Sequence, residues 1–413
     1  MTKIRNLCLF VLLATAAVAQ NNRSSLQSLI AEARQNNGAI KAAESAIHAT
    51  RYMPKQASAL PDTEVMVQHF TVGSPRPFAG YSNSDFAYIG FGASQELPYP
   101  GKRALRANVA QYEIAISRAE KNSVVWAVLT RLKLAYFQLA ASQQIISVLE
   151  RNQQAAEGIE QAAEARYGVG KGTQQDVLRA QLERTKLLND LSMQRRESAQ
   201  AQAALKALLN RPAGSPDLIP EPLSVRHIPS PEAVIAKLRE NNPELQVSGE
   251  QVSQGRAAVR LAKREKKPDF GVQYMWQHTA DNFRDYYMGT FSIKLPNRSR
   301  VRAAEGESQA KLAQAEAEKE SRLKQMESDF GEQLAIVQTS EQQLKVYEEG
   351  LIPQSEAALN AGLAGYRAGK QEYQGLLASF ADTLQLSIGR ERTLSEHEAA
   401  IARIEGLIGE ELQ

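Results

Sequence analysis

Residues 166–183 read RYGVGKGTQQDVLRAQLE, and residues 365–382 read GYRAGKQEYQGLLASFAD. At an offset of 199, Tyr167 aligns with Tyr366, Gly170 with Gly369, Lys171 with Lys370, Gln175 with Gln374 and Leu178 with Leu377. Both stretches interrupt long helical patterns. Glycine accepts positive φ and brings no side chain into a tight turn, so each stretch predicts the tip of a helical hairpin.

The flanking patterns support that reading. Val128, Leu132, Ala135, Leu139, Ile146 and Leu149 follow alternating steps of four and three, with Ser142 in the one gap. Val177, Ala180, Leu187, Leu191, Ala201, Leu205 and Leu208 keep the rhythm past the first break. Leu323, Met326, Phe330, Val337, Leu344, Tyr347 and Leu351 repeat it before the second, and Leu394, Ile401 and Ile408 after it. This is the seam of a coiled coil or helical bundle. A continuous helix over 102–166 would reach roughly 100 Å at 1.5 Å per residue, far too long for a compact domain.

Between the helices lie short alternating segments. In DFGVQYMWQH, Phe270, Val272, Tyr274, Trp276 and His278 point one way, and Gly271, Gln273, Met275 and Gln277 the other. YMGTFSIKL sets Tyr287, Gly289, Phe291, Ile293 and Leu295 against Met288, Thr290, Ser292 and Lys294. An apolar face backed by a polar or small one suits a barrel wall between lipid and water, and equally a hairpin half-buried in a soluble protein. TEVMVQHFTVG and FAYIGFGASQEL form a matching, less regular pair in the first half, joined by the loop-like SPRPFAGYSNS.

The order of landmarks then repeats. NN occurs at 36–37 and 241–242, PD at 61–62 and 268–269, LP before a basic cluster at 97–98 and 295–296, and then each glycine break. The offsets of 205, 207, 198 and 199 indicate a duplication of about 200 residues. The expected organisation is a signal peptide over 1–19, a first structural repeat over 20–222 and a second over 223–413. The first repeat holds a helix, a strand pair over 62–97 and a long helical hairpin over 101–211. The second holds a helix, a strand pair over 269–295 and a hairpin over 298–411. The signal peptide is read from Lys3 and Arg5 ahead of the apolar run Leu7 to Ala19, which closes on Ala17-Val18-Ala19. The one cysteine, Cys8, falls inside that run, so the mature chain would carry no disulfide and no thiolate site.

Composition excludes other classes. The formal net charge is +3, falling toward +1 without Lys3 and Arg5, and gives no electrostatic case for nucleic acid. His48, His69, His227, His278 and His397 are scattered without metal-ligand spacing, no nucleophile motif such as GxSxG occurs, and the GxG at 168–170 lacks a phosphate-loop context. The reading is no enzyme, no cofactor and no metal site. No later segment reaches the roughly 18 apolar residues of a membrane helix, so any membrane crossing would use a closed β-barrel.

RYGVGKGTQQDVL and LIPQSEAALNAGLAGYRAGKQEYQGLL resemble the paired signatures of the TolC-like outer-membrane efflux family, over about residues 24–412. QELPYPGKRALRA is similar to the strand-to-helix junction of its cation-efflux branch. The resemblance implies a mainly α chain whose duplicated helical hairpins form an α-barrel. It also implies four strands per chain in a composite, homotrimeric, twelve-stranded outer-membrane β-barrel. It further implies a passive exit duct for heavy-metal cations or drugs, in the outer membrane with a large periplasmic portion. That duct would dock a periplasmic adaptor and, through it or directly, an inner-membrane pump. The alternatives are the exit duct of a type I protein-secretion system and a soluble periplasmic coiled-coil adaptor. The expected docking tips are Tyr167, Gly170, Lys171, Tyr366, Gly369 and Lys370. The family places its gate nearby, which makes Asp176, Arg367 and Glu372 candidate gate residues. The position matching Asp176 in the second half is Gly375, a departure from a paired acidic ring.

Overall fold

The computed structural model describes residues 23–71, 87–279 and 285–412. The expected signal peptide and the SPRPFAGYSNS turn lie outside them. Among the described residues helix accounts for 73% and strand for 11%, which fixes the class as mainly α. In chain order the elements are β1 (Arg23–Ser24), α1 (Leu26–Asn36), α2 (Gly38–Thr50), α3 (Met53–Ser58), β2 (Glu64–Phe70) and β3 (Tyr88–Leu97). Then come α4 (Lys102–Gly168), α5 (Gln174–Leu208), β4 (Ile219–Pro220), α6 (Pro231–Asn241), α7 (Pro243–Arg264), β5 (Asp269–Thr279) and β6 (Asp285–Lys294). α8 (Arg298–Val346), one π turn (Tyr347–Leu351), α9 (Ile352–Arg367) and α10 (Tyr373–Ile408) complete the chain. Contacts divide it into two units, one of residues 1–42, 122–243 and 324–413, the other of 43–121 and 244–323.

The first unit is helical. Its seam residues Leu132, Leu139 and Leu205 are fully buried in the core, and so is Leu129 outside the pattern, beside the buried rings of Trp126, Tyr136 and Phe137. Ser142, in the gap of the pattern, is buried as well. One 18-residue window in α4 reaches a mean hydropathy of 1.3, contrary to the expectation that no segment after the leader is membrane-like. That window is 61% buried, as an inner helix of a bundle would be. The asparagine pairs have a structural role. The Asn37 side chain donates to the Leu208 carbonyl at the end of α5 (2.8 Å), and Asn242 donates to the Leu407 carbonyl at the end of α10 (2.6 Å). Each satisfies a terminal carbonyl that its helix leaves unpaired.

A buried ionic network fastens the connector before α6. Lys133 donates to Glu405 (2.8 Å), and Arg226 donates to Glu398 (2.6 Å) and Glu405 (3.0 Å). His397, fully buried, contacts Ser340 Oγ through Nδ1 (2.9 Å) and the Arg226 carbonyl through Nε2 (2.8 Å). Buried charges of this kind hold because each is paired, and losing one partner is costly. The second hairpin departs from expectation at one place. Pro353 has no N–H to return to the previous turn, and the chain opens into the π turn just ahead of it. The extra residue rotates the seam, so Leu351, its expected last member, is exposed.

The second unit carries a four-stranded antiparallel sheet in the order β2-β3-β5-β6. β3 and β5 are central, so the two strand pairs join edge to edge. Phe270 faces Ile293, Val272 faces Phe291 and Trp276 faces Tyr287, which puts the apolar series of β5 and β6 on one side. That side is open: Tyr274, Tyr287, Phe291 and Ile293 are each more than half exposed. On the other side Met275 is fully buried over Gly90 and Gly92, whose missing side chains leave it room. Every residue of β6 is exposed, and β2 is nearly so. An open edge of this kind invites another strand.

Candidate functional site

The two glycine breaks come together within the helical unit. Their backbones are the same. Gly170 N–H bonds the Tyr167 carbonyl (2.9 Å) and Lys171 N–H the Arg166 carbonyl (2.8 Å). Gly369 N–H bonds the Tyr366 carbonyl (3.0 Å) and Lys370 N–H the Gly365 carbonyl (2.9 Å). This is the Schellman C-cap, with glycine at the left-handed position, and φ is +73° at both.

The side chains are arranged differently. Tyr167, Gly170 and Lys171 are exposed, as are Gly369 and Lys370. Tyr366 stands apart from the other expected docking residues: it is 2% exposed, against 49% for Tyr167. Its ring meets Tyr373 edge-on at 5.7 Å and carries the Arg166 guanidinium 4.6 Å above it. Arg166 also donates to the Tyr366 carbonyl and, at 3.0 Å, to that of Lys171, so one side chain ties the two tips together. Its aligned residue is Gly365, so the repeat gave no sign of that role. Burial, and then the Asp176 carboxylate, push the Tyr366 phenol above its usual range. Burial followed by Glu183 does the same, more strongly, to Tyr373. Both phenols therefore stay neutral at ordinary pH.

The candidate gate residues separate in the same way. Arg367 and Glu372 are exposed. Asp176 is half-buried and closes a capping box, in which Asp176 N–H donates to Thr173 Oγ1 (3.2 Å) and Thr173 N–H donates to Asp176 Oδ2 (3.4 Å). Glu372 stands at the matching cap of α10 and makes no side-chain cap bond. Among the described residues no group of three or more His, Cys, Asp or Glu is placed to hold a metal ion. The exposed groups of the site are cationic and amide side chains on two glycine turns.

Residues 29–211 match the family described as Outer membrane efflux protein. No curated protein matches the chain in sequence. Among solved structures, the Vibrio cholerae outer membrane protein VceC is 18% identical, with a TM-score of 0.79 over 94% of this chain and 97% of VceC. The outer-membrane channel OprN is 16% identical, with a TM-score of 0.79 over 93% and 89%. CusC, whose structures concern folding and transmembrane channel formation, is 14% identical, with a TM-score of 0.78 over 93% and 92%. At such identities the likeness establishes the fold. Residues 29–211 are thus similar to the outer membrane efflux protein family, and the chain as a whole has the fold of the outer-membrane channels VceC, OprN and CusC.

Proposed function

We propose that this chain is one subunit of a homotrimeric outer-membrane channel, the passive exit duct of a tripartite efflux system. The observation that carries the reading is the open four-stranded sheet with an exposed aromatic face and two unpaired edges. Four strands cannot close on themselves, and a bilayer tolerates no free edge. Three copies supply twelve strands and remove every edge. The helical unit then forms the periplasmic tube, whose tips meet a periplasmic adaptor and the inner-membrane pump. The cargo is heavy-metal cations or drugs. A type I protein-secretion duct shares the architecture, whereas a soluble adaptor has no use for an aromatic sheet face. Residues 1–19 act as the export signal, and 20–222 and 223–413 are structural repeats. The equivalent bonds of Asn37 and Asn242 support that duplication. Light scattering in mild detergent should give about three times the mass of the mature chain, and a monodisperse monomer would overturn the reading.

The docking surface is the exposed part of the two tips: Tyr167, Gly170, Lys171, Gly369 and Lys370. Tyr366 supports it from below, and Arg367 and Glu372 lie beside it as gate candidates, with Asp176 committed to its cap. A side chain at Gly170 would meet nothing within 4 Å, but at φ +73° any side chain strains the turn, so a bulky residue there tests partner contact only in a variant that still forms trimers. Gly170→Trp should leave trimer formation and outer-membrane insertion intact while reducing adaptor cross-linking and efflux. Normal docking by a trimeric variant would refute the surface.

A further inference from the structure

The side of the sheet nearest the helices carries a feature that efflux does not use. Phe270 pairs with Leu97 and Asp269 with Lys294, so the ends of β3 and β6 and the start of β5 are level. Just beyond that level lies a shallow concavity of about 500 Å³, floored by Ala104 and Leu105 and walled by Arg260, Lys263, Arg264 and Lys267. Four cations converge there, and among the described residues none of the four forms an ion pair. Arg260 donates only to the Asn108 amide oxygen (3.3 Å) and Arg264 only to the Pro100 carbonyl (2.8 Å). Their neighbours behave otherwise: Lys266 pairs with Glu305 at 2.6 Å, Arg256 with Glu316 at 3.1 Å and Lys102 with both Glu265 and Asp269. In a chain with 49 basic and 46 acidic residues, a concave group of four cations, none of them in an ion pair among the described residues, points to an external anion.

Its position identifies the anion. The Arg264 guanidinium lies 4.9 Å from the Tyr99 ring centre, Tyr99 stacks on Phe270 at 6.3 Å, and Phe270 on Phe291 at 5.9 Å. Phe291 belongs to the exposed face of the sheet. The basic pocket therefore begins where the aromatic band ends, on the band's own side. Aromatic girdles mark the headgroup level of barrel proteins, and phosphates lie immediately outside it. Gly101, at φ +91°, is part of the fit, since a Cβ there would stand 3.4 Å from the Arg264 guanidinium. Arg298, Arg300 and Arg302, likewise exposed and without an ion pair among the described residues, extend the positive charge beyond β6.

We propose that this pocket binds the phosphate of an anionic glycerophospholipid in the leaflet on the helical side of the membrane. The inference rests on the reading of the sheet as part of a membrane barrel. Arg260 and Arg264 offer forked donors to phosphate oxygens, Lys263 and Lys267 act as point charges, and Ala104 and Leu105 lie under the glycerol and first methylenes.

The test uses the full-length protein, purified in neutral detergent and also mixed with lipid vesicles. Native mass spectrometry should show phosphatidylglycerol retained in preference to phosphatidylcholine. Replacing Arg260→Gln, Lys263→Gln and Lys267→Gln together should lower that preference by roughly fivefold for each cation removed. The charge-preserving pair Lys263→Arg and Lys267→Arg should keep it. A control triple, Lys186→Gln, Arg195→Gln and Lys311→Gln, should keep it as well. Equal retention of the two lipids, an unchanged preference in the first triple variant, or an equal loss in the control overturns the proposal. So does displacement of phosphatidylglycerol by soluble peptidoglycan fragments, which would assign the pocket to an anionic polymer. Flotation with phosphatidylcholine vesicles separates the two levels of failure. Protein that never enters these vesicles refutes the barrel reading itself, whereas protein that inserts without lipid preference refutes only the pocket.

Discussion

The two tips share one backbone and differ in everything attached to it. Around Gly170 the turn ends in a capped helix with its tyrosine outside. Around Gly369 the returning helix starts without a side-chain cap, and its tyrosine is the buried anchor of the pair. Arg166 reaches from the first tip to the second, while its aligned residue Gly365 reaches nowhere. The two turns have the same backbone, and packing made one the support and the other the guest. The local stability of the second tip then depends on tertiary contact, whereas that of the first rests largely on its own cap.

The largest expected effect separates the tyrosines. Tyr366→Ala should destabilise the tip by about 3 kcal/mol, the cost of emptying a buried aromatic site. Tyr167→Ala should change stability by less than about 0.5 kcal/mol. Hydrogen exchange of the amides of 360–376 measures both, and equal effects would erase the distinction between anchor and surface. Arg166→Leu should come next. It removes charge-assisted bonds to two carbonyls, worth roughly 2 kcal/mol, and should raise exchange at both tips together. A change confined to residues near 166 would mean that the bridge does not couple them. The smallest effect concerns the caps. Thr173→Ala should cost about 1 kcal/mol in the stability of α5, and Glu372→Ala close to nothing in α10. Glu372→Thr should then recover a cap at the second tip, and thermal unfolding followed by circular dichroism would rank the three.

The sheet was legible in sequence for a local reason. Successive strand residues alternate sides, so the apolar series Val272, Tyr274 and Trp276 had to share a face wherever the strand lay. The open side of β5 and the buried Met275 on its other side follow that alternation. What the pattern left open was the joining of the two hairpins through β3 and β5, a pairing of residues more than 170 apart.

By itself the sequence determined the glycine turns, the helical seam and the two-faced strands. Each follows from backbone sterics or from the period of a single element, which residues a few positions apart decide. Even the π turn was written locally, in Pro353, although its effect on Leu351 appears only once the seam is followed past it. Tertiary structure alone decided which of two aligned tyrosines is buried and that Arg166 joins the tips. It also decided that Lys133, Arg226, Glu398 and Glu405 meet in the interior, and that Arg260, Lys263, Arg264 and Lys267 line one concavity without an ion pair among the described residues. These outcomes depend on which distant segment arrives beside each side chain, and hydrophobic periodicity says when a residue turns inward without saying what it will find there.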